Sequence, residues 1–139
     1  MSRRPLPPPE RKKEMPDKRR VLVIDDDEFV RLTICEIVEN LDYHVTNAKD
    51  GGRALALMAD GGMPDIVITD IIMPGKSGLE IIAEIRKSFP AVKIIAISGG
   101  GGSGDGDNLS AARELGADRV IPKPIEIKEL GKILKELTV

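Results

Sequence analysis

Aromatic side chains are almost missing from this sequence: two Phe, one Tyr and no Trp in 139 residues, 2% of the whole. A surface that stacks successive bases of single-stranded nucleic acid cannot be assembled from three rings. The core must instead come from Ile, Val, Leu, Met and Ala. Cysteine is nearly missing too, so no intramolecular disulfide can form. The lone Cys35 lies in an apolar helical pattern, where a small buried hydrophobe is the simplest reading. A catalytic thiol would need a histidine, and His44 is the only one in the chain. His44 has no Cys or His beside it and reads as a solvent-facing strand residue. No apolar run is long enough to span a bilayer, and the N-terminus carries no apolar stretch of the secretory type. Cytoplasmic residence is the expectation.

Charge is present but uneven. Residues 1–20 hold eight Lys or Arg against three acids, which gives +5; with a total of −2, the rest of the chain carries −7. The folded part is therefore acidic and unsuited to binding nucleic acid directly. Residues 1–19 read as a disordered, basic, proline-rich tail with extended Pro5-Leu6-Pro7-Pro8-Pro9. Residues 20–139 form one domain, a length suited to one hydrophobic core.

From Arg20 onward, short apolar runs alternate with longer helical patterns. Val21–Ile24 is continuously apolar, as a strand buried on both faces requires. Helices are predicted over 28–41, 51–60, 77–88, 108–115 and 126–137. Strands are predicted over 43–48, 65–70, 92–97 and 119–121. A glycine-rich loop is expected from Gly99 to Gly106. Five strand–helix repeats imply a doubly wound α/β fold: a parallel sheet with helices on both faces. Ligands of such sheets bind beyond the carboxyl ends of the strands. The residues there are Asp25, Asp26 and Asp27 after strand 1, Asp70 after strand 3, Ser98 after strand 4 and Lys123 after strand 5.

Clustered carboxylates repel unless a cation compensates. A hard divalent ion such as Mg²⁺ takes one or two carboxylates together with water or phosphate oxygens. Lys123 adds a second positive charge. The set suits a carboxylate nucleophile facing a phosphoryl group.

Val21-Leu22-Val23-Ile24-Asp25-Asp26, Ile68-Thr69-Asp70-Ile71-Ile72-Met73-Pro74-Gly75, Ile97-Ser98 and Lys123-Pro124 occur in the order and spacing found in one family. The sequence resembles the receiver domains of two-component response regulators, in particular the single-domain chemotaxis type. The resemblance implies a five-stranded flavodoxin-like sheet of order 2-1-3-4-5 with five helices. It implies Asp70 as phosphoacceptor, and Mg²⁺ or Mn²⁺ held by Asp25, Asp26, Asp70 and the backbone carbonyl of Ile72. Ser98 and Lys123 would bind the phosphoryl group, with Gly99, Gly100 and Gly101 as the switch loop. The implied partners are a sensor histidine kinase or histidine phosphotransfer protein and a downstream protein target. Neither nucleic acid nor membrane is contacted, and homodimerisation on phosphorylation is an option. The chain would act as a stand-alone regulator or as a domain of a larger one, with no enzymatic turnover beyond its own phosphotransfer and slow dephosphorylation.

Several departures and competing readings accompany the match. Val120 stands where the family often has an aromatic switch residue, three positions before the lysine, so output must use another element. The glycine-rich 99–106 loop is expected to be mobile before phosphorylation. Asp27 fits a helix cap better than a ligand. Gly75-Lys76-Ser77 imitates the end of a Walker A loop, but the first glycine of that motif would fall on Asp70. Asp25-Asp26-Asp27 contains the Asp-x-Asp of haloacid-dehalogenase-type phosphohydrolases, without that class's later acidic pair or cap domain. A degenerate receiver that only docks partners is the remaining alternative. Ile72 has an apolar side chain and cannot orient an attacking water. Self-dephosphorylation should therefore be slow, which timed decay of the phosphoprotein in Mg²⁺ would check; a short-lived adduct contradicts it.

Overall fold

A computed structural model describes residues 19–73, 77–98 and 105–138, with side chains from Leu109 onward in the last segment. The elements are β1 (Arg20–Ile24), α1 (Glu28–Asn40), β2 (His44–Ala48), α2 (Gly51–Ala59), β3 (Ile66–Asp70), α3 (Gly78–Ser88), β4 (Lys93–Ser98), α4 (Asp105–Leu115), β5 (Arg119–Pro122) and α5 (Ile127–Leu137). All strand pairs are parallel, in the order β2-β1-β3-β4-β5. The five-stranded, five-helix arrangement is the one expected from the alternation. One boundary differs. Helix α4 starts at Asp105, three residues before the predicted Asn108, and absorbs the end of the expected glycine loop. Gly106 masked this turn, because glycine disfavours helix and reads as loop. The rest of that loop, with Gly99, Gly100 and Gly101, lies outside the described residues, as do Pro74 and Gly75. The tail expected over 1–19 does as well, except Arg19. The Arg19 carbonyl accepts from the His44 N–H (2.8 Å) and its guanidinium donates to the Thr138 carbonyl (3.3 Å).

The strands split their side chains by the two-residue period. Leu22, Ile24, Val67, Ile94 and Ala96 pack against α2, α3 and α4 through Ala54, Met58, Ile81, Ile85 and Ala112. Val21, Val23, Ile66, Ile68, Ile95 and Ile121 pack against α1 and α5 through Ile34, Val38, Leu130 and Ile133. Cys35 is buried in this second layer, and burial pushes its thiol up to about 11. That position and that value suit the structural reading of the cysteine. His44 is exposed on edge strand β2, as expected. Val120 is partly buried and packs against the α2–α4 layer.

Helix starts are set by side chains that satisfy free N–H groups. Asp27 caps α1 by accepting from Val30 N–H at 3.1 Å. Asp50 caps α2 by accepting from Arg53 N–H at 2.8 Å. Ser77 and Glu80 form a reciprocal capping box on α3. The α3 start is also constrained by space. The Gly78 N–H donates to the Ile71 carbonyl at 2.8 Å, so the helix rests on the end of β3. A Cβ on Gly78 would sit 2.6 Å from Ile71 Cα and overlap the Asp70 carbonyl oxygen. Both obstacles are backbone and cannot rotate away. Gly78→Ala is expected to cost about 3 kcal/mol of unfolding free energy in urea titrations, since overpacking against backbone has no cheap relief.

Candidate functional site

Parallel register brings the strand ends together. Ile24 pairs with Thr69, so Asp25 and Asp70 follow side by side. Asp70 pairs with Ile97, which places Ser98 one residue beyond. Ser98 pairs with Pro122, which places Lys123 beyond that. The Lys123 N–H donates to the Ser98 carbonyl at 2.9 Å and fixes the loop. The Lys123–Pro124 peptide bond is cis. Four residues separated by up to 98 positions thus share one edge of the sheet.

Asp25 and Asp70 are buried, and Asp26 is exposed beside them. One carboxylate oxygen of each lies within 4.8 Å of those of the other two. Lys123 Nζ reaches between the two buried acids, 3.5 Å from Asp70 Oδ2 and 3.8 Å from Asp25 Oδ2. Backbone N–H groups supply the rest: Asp27 donates to Asp25 Oδ1 at 2.9 Å, and Ile72 donates to Asp70 Oδ1 at 3.4 Å. The Ile72 side chain is 56% exposed and takes no part in the cluster.

Desolvation is the largest influence on both buried acids and raises Asp25 and Asp70 above the ordinary value of 3.8. Lys123 opposes that rise in both. The two acids repel each other, which raises Asp70 further. One ammonium therefore leaves the negative charge undercompensated, the condition under which a cation binds. The donor set fits a hard divalent ion, being all oxygen. Ser98 Oγ is fully buried (1% exposure) and has no hydrogen-bond partner among the described residues. A buried hydroxyl in that state suits an oxygen-rich ligand at the strand ends.

Asp27 stays apart from the cluster, spent on capping α1. This removes the second acid of the Asp-x-Asp motif and with it the phosphohydrolase arrangement. Two supporting residues escaped the sequence reading. Arg31 donates to the Asp25 carbonyl at 2.9 Å and to Asn47 Oδ1 at 2.9 Å, bracing the acidic loop from α1. Its signal was a cation on the inward side of an otherwise apolar stripe. Gly78 was missed because a glycine before a helix gives no sign of the backbone pressed against it.

The fold is a flavodoxin-like α/β sheet with an acid-and-lysine cluster at its strand ends. Residues 21–135 match the response regulator receiver domain, and the chain belongs to that family, whose members serve as phosphoacceptor modules of two-component systems. It is 34% identical over 118 residues to the sensor kinase CckA of Brucella abortus, covering 84% of this chain and 12% of the kinase. It is 32% identical to the DNA-binding transcriptional regulator NtrC of Azospirillum brasilense, covering 83% of this chain and 23% of that protein. The chain thus spans less than a quarter of either relative. A receiver domain protein from Clostridium thermocellum superposes with a TM-score of 0.79 at 30% identity, covering 86% of this chain and 93% of that one. No helix among the described residues is long and apolar enough to cross a membrane.

The raised acids have a consequence for stability. Between 3.8 and the raised values, the native state holds more protons than the unfolded chain, so stability falls as pH climbs through that window. Asp70→Asn removes one such charge. Its urea midpoint should exceed that of the wild type at neutral pH, with the gain shrinking as pH falls and vanishing below about 3.8. An equal or lower midpoint at neutral pH contradicts the assignment.

Proposed function

We propose that Asp70 accepts a phosphoryl group from phosphohistidine on a sensor kinase or histidine phosphotransfer protein. The observation that supports this most is the placement of Lys123 Nζ against Asp70 Oδ2, together with a buried Ser98 Oγ that has no hydrogen-bond partner among the described residues. A carboxylate oxygen of Asp70 attacks phosphorus, the bond from phosphorus to the imidazole nitrogen breaks, and the released ring takes up a proton. Lys123 moves from Asp70 to the new phosphoryl oxygens and offsets their charge. Ser98 Oγ donates to one of them. Asp25, Asp26, Asp70 and the Ile72 carbonyl would hold Mg²⁺ or Mn²⁺. When bound, that ion supplies charge neutralisation on the transferring oxygens.

The acyl phosphate adds a charge of about −1.5 to −2 at neutral pH, which shifts a pre-existing equilibrium of the strand-end loops. Val120 is too small to act as a rotating aromatic, so the output runs through backbone and loop contacts to a protein target in the cytoplasm.

Incubation with acetyl phosphate tests the reading by intact mass. A single phosphoryl adduct is expected in Mg²⁺, absent with a chelator and absent in Asp70→Asn. Lys123→Ala should accept the group far more slowly, by about 100-fold or more. An unmodified wild-type chain that also fails to bind beryllofluoride would instead establish a docking module that works without phosphorylation.

A further inference from the structure

The chain turns from β1 into α1 over Asp25, Asp26 and Asp27, and the ties on that turn fall mostly on its two ends. The Asp25 N–H donates to the Ala48 carbonyl at 3.3 Å. The Asp27 N–H donates to Asp25 Oδ1 at 2.9 Å, and the Asp27 carboxylate caps α1. Asp26 lies between them, exposed, with no side-chain hydrogen bond to a described residue. Its main chain therefore sets where its carboxylate stands.

One bond acts on that main chain. The peptide unit joining Asp25 to Asp26 is a single rigid plane. Arg31 Nη1 donates to the carbonyl of that plane at 2.9 Å. The guanidinium is itself held in place, because Nε donates to Asn47 Oδ1 at 2.9 Å. Asn47 stands on β2, paired in register with Val23 of β1. A guanidinium presents its donors in a fixed planar fork. Gripping Asn47 through Nε aims Nη1, and Nη1 fixes the tilt of the peptide that leads into Asp26. Counter-charge is a separate task, carried by Lys123 at 3.5 Å from Asp70 and 3.8 Å from Asp25. Arg31 forms no ion pair with a described carboxylate.

We propose that Arg31, aimed by Asn47, is a positioning residue that sets the affinity of the site for its divalent ion. It holds the Asp26 carboxylate near those of Asp25 and Asp70, where one oxygen of each lies within 4.8 Å of the others. Three acids that close repel one another. Without the Arg31 bond the peptide is free to tilt, and repulsion carries Asp26 outward. Groups that orient metal ligands from behind commonly change affinity by about 10- to 100-fold. The proposal rests on reading this edge as a divalent-ion site. It adds a residue that touches neither the ion nor the phosphoryl group.

Mn²⁺ titrated into the full chain, with free ion read by electron paramagnetic resonance and no phosphodonor present, tests it. The wild type should take up a single ion, and Asp26→Ala should lose it, which locates the ion. Arg31→Ala and Arg31→Lys should each bind about tenfold more weakly. Lysine keeps the charge but cannot hold both acceptors on a planar fork, so its failure separates aim from charge. Asn47→Ala, at an exposed position on an edge strand, should weaken binding in the same direction and by less. With acetyl phosphate, Arg31→Lys should need about tenfold more Mg²⁺ for half its limiting rate of phosphorylation, while the limiting rate stays near that of the wild type. A purely structural arginine would lower the urea midpoint and leave the Mn²⁺ affinity of the folded chain unchanged. Arg31→Lys and Asn47→Ala chains that bind Mn²⁺ like the wild type overturn the proposal, as does a wild type that binds none. Weakened binding in these variants, in a chain that gains no phosphoryl adduct, supports the proposal and refutes phosphotransfer alone.

Discussion

Two buried carboxylates held against one ammonium are the constraint around which this molecule is arranged. Asp25 and Asp70 sit in an interior that penalises their charge, and Lys123 offsets only part of it. Everything near them bears on that imbalance. The parallel register of β1, β3, β4 and β5 delivers the four strand ends to one edge. Arg31 ties the Asp25 carbonyl to α1. Gly78 lets α3 begin directly on the end of β3, where any side chain would push Asp70 aside.

This arrangement stores no large stability and is not meant to. Buried ionised groups are costly, and replacing them by neutral ones commonly stabilises a fold. Here the cost is offset by the two-sided core, whose strands are buried on both faces in β3 and nearly so in β1 and β4. The acidic cluster is then free to respond to added charge. Placing a phosphoryl group beside Asp25 worsens the repulsion unless cations and donors rearrange, and Lys123 and Ser98 are the groups positioned to do so.

Much of the fold was legible because its period was. Val21–Ile24 and Ile66–Ile68 are continuous apolar runs, and in a five-fold strand–helix alternation such runs can only be the inner strands of a parallel sheet. The strand-end positions of Asp25, Asp26, Asp70, Ser98 and Lys123 followed from the same alternation. Helix α4 was less legible. Its first turn, Asp105-Gly106-Asp107, has the composition of a loop, and tertiary context overrides that local preference. Arg31 left only the faint signal of a cation on an apolar stripe, and Gly78 none, since the backbone pressed against it is placed by the sheet.

The sequence by itself determined which residues stand at the strand ends, that the layers are helix–sheet–helix, and that carboxylates and one lysine gather at one edge of the sheet. Those properties depend on residue type and spacing, which local physics reads directly. Only the tertiary structure decided that Asp27 leaves the cluster to cap α1, that Lys123 spans both buried acids, and that Ser98 Oγ is buried with no partner among the described residues. It also decided that Phe29 stands in water beside a groove between α1 and the loop after β5. Distances between side chains on different strands, and which helix faces remain uncovered, arise from packing the whole chain and cannot be read from any one segment of it.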